Sequence, residues 1–551
     1  MGKRDIVFVL VCLAGGAALA SNYWRRDRVE PPRELVPLAQ TDAAFQQTVA
    51  RINQAFHEDW QRAGLEPTPS APSLILARRL SLALTGAIPS LEEIRTLEQL
   101  PESERLEWWT AHLLEDRRYS DYVAERLARA FVGTDDGPFI VYRRRRFVAW
   151  LSDRLHRQDM SYDELVRELI SQEGLWTDSP AVNFVTATSD PNADNRPDPV
   201  KLANRTTRAF LGMRIDCLQC HDDRLDKVFL GDPATPRSGE QRDFHQLAAF
   251  FGEVGNSVAG IRDRKSDEGY KTRYLGAEEA TPVDASAPFN PEFVRADGTL
   301  RERLAGWVTH PENKPFARAT VNRFWALLFG RPLIDPVDDI KLHGPFPPAL
   351  EALAEDFAQH QFDVRRLIRL MVATEAFQRD SRAEFEITTE HEQHWASFPL
   401  TRLRPEQVAG SVIQASSLTP IDDDAHILRK LIKFGETNEF VKRYGDTGED
   451  EFADRGGTIP QRLLMMNGEL VKERTKENLV FNAATRIAVI ARDPRKAVET
   501  AYLVVLSRRP TPEEWEHFAA RIAPTEGTQR IGALEDLCWV LVNSTEFSWN
   551  H

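Results

Sequence analysis

Cys217-Leu218-Gln219-Cys220-His221 is the one run in this 551-residue sequence whose residue types and spacing point to a definite chemistry. Two thiols three positions apart, followed at once by an imidazole, are the arrangement that fixes a c-type haem. Thioether bonds at the cysteines tether the macrocycle, and the histidine supplies the proximal iron ligand. On that reading Cys217 and Cys220 hold the cofactor and His221 ligates the iron. The same side chains suit other states. A zinc ion can take Cys217, Cys220 and His221 with a distant fourth donor such as His245. In an exported chain the two cysteines can instead close a disulfide, and a turn that only packs is the plain alternative.

His245 is also the candidate second ligand for a haem iron, since Met213 lies too near Cys217 to reach across the ring. An open sixth position is equally allowed and would admit a small ligand. Asp222, Asp223 and Asp226 follow the motif closely. They read as a solvated loop, because the spacing and central glycine of a calcium-binding EF-hand are missing. The run Arg143 to Arg146 suits an anionic group such as a haem propionate, or simply a solvated helix face. No His-Glu-x-x-His zinc motif, Gly-x-Ser-x-Gly elbow, phosphate loop or dinucleotide fingerprint occurs. The sequence therefore names a cofactor but no catalytic residue and no substrate.

The surrounding composition narrows the setting. Basic residues number 70 against 84 acidic ones, a formal charge of −14, so there is no global positive field for nucleic acid. Hydrophobic residues at 42% and charged ones at 28% are those of a globular protein. The four cysteines, Cys12, Cys217, Cys220 and Cys538, are too few for a disulfide-framed fold. At the amino terminus Lys3 and Arg4 precede an uncharged apolar run from Ile6 to Ala20, the layout of an export signal. Ala18-Leu19-Ala20 suits cleavage, whereas Tyr23, Trp24, Arg25, Arg26 and Arg28 suit the interfacial end of an uncleaved anchor. Either fate places the body outside the cytoplasm, where covalent haem is assembled.

The elements that must position the motif read as helices. Ser90 with Glu93, Ser161 with Glu164 and Thr511 with Glu514 have the spacing of reciprocal capping boxes. Helical stripes recur at Val321, Phe324, Trp325 and Leu328, at Leu350, Leu353, Ala354 and Phe357, at Leu367, Leu370, Met371 and Thr374, and at Leu534, Leu537, Cys538 and Leu541. The motif follows a helix predicted over 202–212. The pattern predicts a mainly α protein: a signal or anchor over 1–28, a helical domain over 41–253, an irregular linker or exposed insertion over 254–291, and a second helical domain over 292–551. Further irregular stretches are expected over 380–398 and 435–460. No internal repeat is visible, which disfavours a solenoid.

Several runs together carry a resemblance. The haem-type motif with Asp222, the later Phe244-His245-Gln246-Leu247-Ala248-Ala249-Phe250-Phe251, the opening Arg78-Arg79-Leu80-Ser81-Leu82-Ala83-Leu84-Thr85-Gly86 and the central Met160-Ser161-Tyr162-Asp163-Glu164-Leu165 resemble the cytochrome-like first domain of a planctomycete family of exported proteins. Val321-Asn322-Arg323-Phe324-Trp325, Asp338-Asp339, Met466-Asn467-Gly468 and the closing Asn543-Ser544-Thr545-Glu546-Phe547 are similar to its companion domain. The halves are the domains of unknown function fifteen-forty-nine and fifteen-fifty-three. The resemblance implies export and a two-domain helical architecture but no reaction. Members commonly carry a second histidine and a proline where this chain has Asp223 and Arg224, so no ligand transfers from that position. A single motif also excludes a multihaem wire.

These readings lead to an exported, anchored or released protein of the periplasm or cell surface, with one c-type haem serving electron transfer or a surface redox assembly. Its partner would be a redox or surface protein. The alternatives are a non-haem surface scaffold with a Cys/His metal site, zinc foremost, or a disulfide, and an extracytoplasmic enzyme acting on surface polymers.

Overall fold

The structure is a computed structural model that describes residues 42–134, 143–157, 159–189, 196–232, 234–264, 269–421, 439–445, 452, 457–468, 470–471 and 482–551. The leader or anchor expected over 1–28 lies outside them, as do Asp446 to Asp450 and Gly456 of the loop expected over 435–460. Among the described residues no helix is long and apolar enough to cross a membrane.

The chain is mainly helical, as its periodicity predicts. All three expected capping boxes form, at the starts of the helices Leu91–Glu98, Tyr162–Ser171 and Pro512–Ile522. The apolar stripes lie on the buried faces of Lys314–Phe329, Pro348–Gln359, Val364–Ala373 and Gly527–Val542. Thr374 falls just past its helix, where its hydroxyl caps the next short one by accepting from the Phe377 amide. Strands among the described residues are two to four residues long and pair only as antiparallel two-stranded ribbons. Two of these ribbons, Val254–Ser257 with Gly260–Asp263 and Lys271–Thr272 with Thr281–Pro282, lie in the stretch that reads as an irregular linker.

The helix Lys314–Phe329 is buried from Pro315 to Phe329 on every face, as an interior helix must be. It packs against Ser73–Thr85, Pro348–Gln359 and the turn Thr207–Leu211. Two of its polar side chains are matched: Arg318 makes two bonds to Glu351 (2.5 and 2.9 Å), and the Asn322 side chain exchanges hydrogen bonds with the backbone of Ile334. The apolar cluster around it runs from Phe45 to Phe398 and takes in Leu503, so one core draws on both sides of residues 254–291. A second cluster gathers residues from Leu403 to Phe547 and takes in Leu82 and Ile88.

Arg78 and Arg79 stitch the two clusters from the middle of a buried helix. Arg78 donates to the carbonyls of Val505 and Phe547, while Arg79 donates to those of Phe377 and Arg379 and stacks on Phe398, 3.4 Å from the ring centre. Gly86 ends that helix at φ +67°, a left-handed cap; a Cβ there would meet the Tyr122 ring at 2.4 Å.

Candidate functional site

The helix predicted over 202–212 is two elements. An α-helix, Pro199–Thr206, passes into a π-turn, Thr207–Leu211, closed by Gly212 in the left-handed conformation. The widened turn is held from outside: Arg208 and Arg214 both grip the buried Asp338 carboxylate, and the Ile340 amide donates to the Gly212 carbonyl at 2.6 Å. The chain then drops into a 3-10 turn, Asp216–Gln219, which carries the motif. Leu218 is fully buried and anchors the turn to the core, with Gly239 making room: a Cβ there would lie 2.7 Å from Leu218.

With Leu218 inward, Cys217, Cys220 and His221 face solvent, and both thiols are free. Burial of its surroundings pushes the Cys217 thiol up, and the carboxylates of Asp216 and Asp223 add to the shift, so the thiol rather than the thiolate prevails at neutral pH. The His221 Nδ1 lies 2.7 Å from the Asp222 carbonyl oxygen, which can only accept. Nδ1 therefore carries the proton, and Nε2 presents its lone pair outward. Two of the acidic residues after the motif, Asp222 and Asp223, are structural. Asp222 accepts from the Gln241 amide at 2.8 Å, and Asp223 accepts from the amides of Leu225, Lys227 and Val228.

His245 lies on the opposite, buried side of the turn, in the helix Gln241–Ala248. Its Nε2 is 3.1 Å from the Gln219 carbonyl and therefore donates; its Nδ1 accepts from the Tyr270 hydroxyl at 2.9 Å. Both ring nitrogens are thus engaged, and the imidazole meets the motif through its backbone. Burial lowers the His245 pKa from its ordinary value of 6.5, opposed by the Gln219 carbonyl, so the ring is neutral at physiological pH. Burial likewise pushes the Tyr270 hydroxyl up to about 12, keeping it a donor. The Gln241 side chain completes the frame, donating to the same Gln219 carbonyl at 3.0 Å and accepting from the Leu275 amide.

Gln241, Tyr270 and Leu275 are the residues that sequence reasoning missed. Tyr270 and Leu275 lie in the stretch read as a linker, and the only available hint was a group of aromatics, Tyr270 and Tyr274, in a polar segment.

Among the described residues, the three ligand-type side chains whose atoms all lie within 4.8 Å of one another are Glu93, His112 and Asp116, not those of the motif. This cluster already holds a cation: Arg118 bonds Glu93 and, at 2.6 Å, Asp116. Burial alone would raise the Glu93 carboxyl, but Arg118, His112 and the Ser90 amide outweigh it and hold the group far below its ordinary 4.5. A depressed carboxyl pKa contributes stability in full above the unfolded value and loses it as pH falls below that value toward the folded one. Glu93→Gln is therefore expected to cost on the order of 3 kcal/mol at pH 7 and progressively less as the pH falls below 4.5, read from urea unfolding. A constant cost down to pH 2 would refute the assignment.

The arginine run is split by its helix, Arg144–Arg157. Arg144 bonds both Glu125 oxygens at 2.9 Å, whereas Arg145 and Arg146 are exposed. Cys538 is buried in the second core, where desolvation pushes its thiol up to about 12 and leaves it inert.

Fold and site together define a mainly helical protein with a single Cys-x-x-Cys-His turn displayed on its surface. Residues 51–256 match PSCyt2, a protein of unknown function (DUF1549), and residues 300–427 match PSD1, a protein of unknown function (DUF1553). The chain thus carries these two domains of unknown function one after the other. No curated protein and no solved structure matches it.

Proposed function

We propose that the protein is an exported carrier of one covalent c-type haem, tethered by thioether bonds at Cys217 and Cys220 with His221 as proximal ligand. It serves electron transfer or a redox assembly at the cell surface, with residues 1–28 as its leader or anchor. The observation that carries this reading is the state of the donor set. Two free thiols and an imidazole are displayed from one short turn, and the Asp222 carbonyl holds Nδ1–H so that Nε2 is the free donor. A backbone carbonyl on the second ring nitrogen is the usual means of fixing the tautomer and raising the basicity of a metal-bound histidine. Bound haem would supply one-electron chemistry; the chain would contribute attachment, ring orientation and the polarity that sets the potential.

The test is the absorption spectrum and denaturing-gel haem stain of the full chain exported in a host with c-type maturation machinery. The wild-type protein is expected to show a Soret band and a stain that survives denaturation, and Cys217→Ala/Cys220→Ala is expected to lose both completely. A folded, colourless wild-type protein from that host would reject the haem reading and direct attention to zinc content and thiol count.

A further inference from the structure

We propose that His245 and Tyr270 form a positioning relay that fixes the Cys-x-x-Cys-His turn from behind, through the carbonyl of Gln219. The turn is poorly supported by itself. It is a four-residue 3-10 element whose flanking bonds run from the Leu218 amide to Ile215 and from the Cys220 amide to Cys217 at 3.3 Å, and 3-10 geometry is weak in hydrogen bonding. Four of its five motif positions are exposed, so burial of Leu218 alone must hold it unless other bonds do.

Those bonds converge on one atom. The Gln219 carbonyl lies between the two cysteines, and its two lone pairs are filled by His245 Nε2–H and by the Gln241 side-chain amide. Each donor is in turn oriented by residues 269–283. The Tyr270 hydroxyl orients the His245 ring by donating to Nδ1, the tautomer being set by the Gln219 carbonyl, and the Leu275 amide fixes which way the Gln241 amide faces. The His245 ring is further confined between Tyr270, near-parallel at 6.1 Å, and Tyr274, edge-on at 5.8 Å. Tyr270 itself is placed by the bond from the Val283 amide to its carbonyl, and by Gly252, where a Cβ would come within 2.7 Å of the tyrosine Cβ. The segment that reads from sequence as a linker is thus the brace that sets how Cys217, Cys220 and His221 are presented. The inference rests on taking that turn as the functional one, and it applies whether the turn carries haem or not.

The experiment uses the reduced full chain made without haem, with two readouts: amide hydrogen exchange of peptides covering 215–222, and the alkylation rate of Cys217 and Cys220 by iodoacetamide. His245→Leu is expected to speed exchange in 215–222 by roughly tenfold and to raise alkylation severalfold, with peptides from the helix Lys314–Phe329 unchanged. His245→Gln, whose side-chain amide offers both a donor and an acceptor group, is expected to return both readouts to within about threefold of wild type. Unchanged exchange in His245→Leu, or His245→Gln as loose as His245→Leu, would overturn the proposal. If His245→Leu loosens the core helix as well, Tyr270→Phe decides, since it deletes only the hydroxyl: faster exchange confined to 215–222 supports the relay and unchanged exchange overturns it. Because the chain is tested without haem, a failure of the haem reading leaves these outcomes untouched.

Discussion

Arg301→Met is expected to destabilise the protein by about 3–5 kcal/mol, measured by urea unfolding at neutral pH. The guanidinium is completely buried in the helix Leu300–Val308. Its Nε donates to Asp263 at 2.7 Å, and one Nη donates to the carbonyls of Ile170 and Gln172 at 2.9 and 3.1 Å. These carbonyls end the helix Tyr162–Ser171, where no intrahelical donor remains for them. Methionine fills much of the volume but strands a carboxylate that is only 7% exposed, together with both carbonyls. The cost therefore comes from the buried anion left behind, and Arg301→Met/Asp263→Asn should recover a large part of it. A burial this deep also makes the cost insensitive to added salt, unlike that of a surface pair such as Arg51 with Glu355. A loss below about 1 kcal/mol, or no recovery in the double variant, would rule out the ion pair as the source. Asp263 closes the hairpin that precedes the Tyr270 brace, so the same lesion should loosen the motif turn without touching it.

What could be read from the sequence is what is local in it. Helix starts were legible because a capping box needs only a hydroxyl and a carboxylate three residues apart, and the stripe through Val321 and Trp325 because a helix repeats within a turn. The motif was legible for the same reason. Its support was not. His245 reaches Gln219 across 26 positions, Tyr270 reaches His245 across 25, and Leu275 reaches Gln241 across 34. No periodicity encodes such pairings, and strands of two to four residues are too short to show alternation. The π-turn at Thr207–Leu211 looks like ordinary helix in the sequence because its widening is imposed from outside, where Asp338 draws Arg208 and Arg214 together. Arg78 and Arg79 mark a further limit. In a helix of apolar residues two adjacent arginines look like a solvated edge, yet both are buried because carbonyls distant in sequence wait for them.

Trp325→Ala is expected to cost about 3–5 kcal/mol, whereas Trp325→Phe should cost about 1 kcal/mol or less. Trp325 is fully buried, stacks on Phe329 at 3.9 Å with the planes 6° apart, meets Trp395 edge-on at 5.3 Å and lies 5.9 Å from Phe56. Alanine would open a cavity among rings too large to close it. Phenylalanine keeps the stack, and it loses no hydrogen bond, because the indole Nε1 is buried without a partner. Removing an unsatisfied donor offsets part of the lost contact area. Phe56 comes from the segment matching PSCyt2, whereas Trp325, Phe329 and Trp395 come from the segment matching PSD1, so this cluster fastens one family domain to the other. Unfolding of the wild-type chain should accordingly show one cooperative transition for tryptophan fluorescence and far-UV circular dichroism, shifted as a whole in Trp325→Ala. Two separate transitions in the wild type, or an alanine variant no weaker than the phenylalanine one, would mean that the shared core does not couple the halves. Leu218, which seats the motif turn, belongs to the same core, so the integrity of that core bears on how firmly the cysteines and His221 are presented.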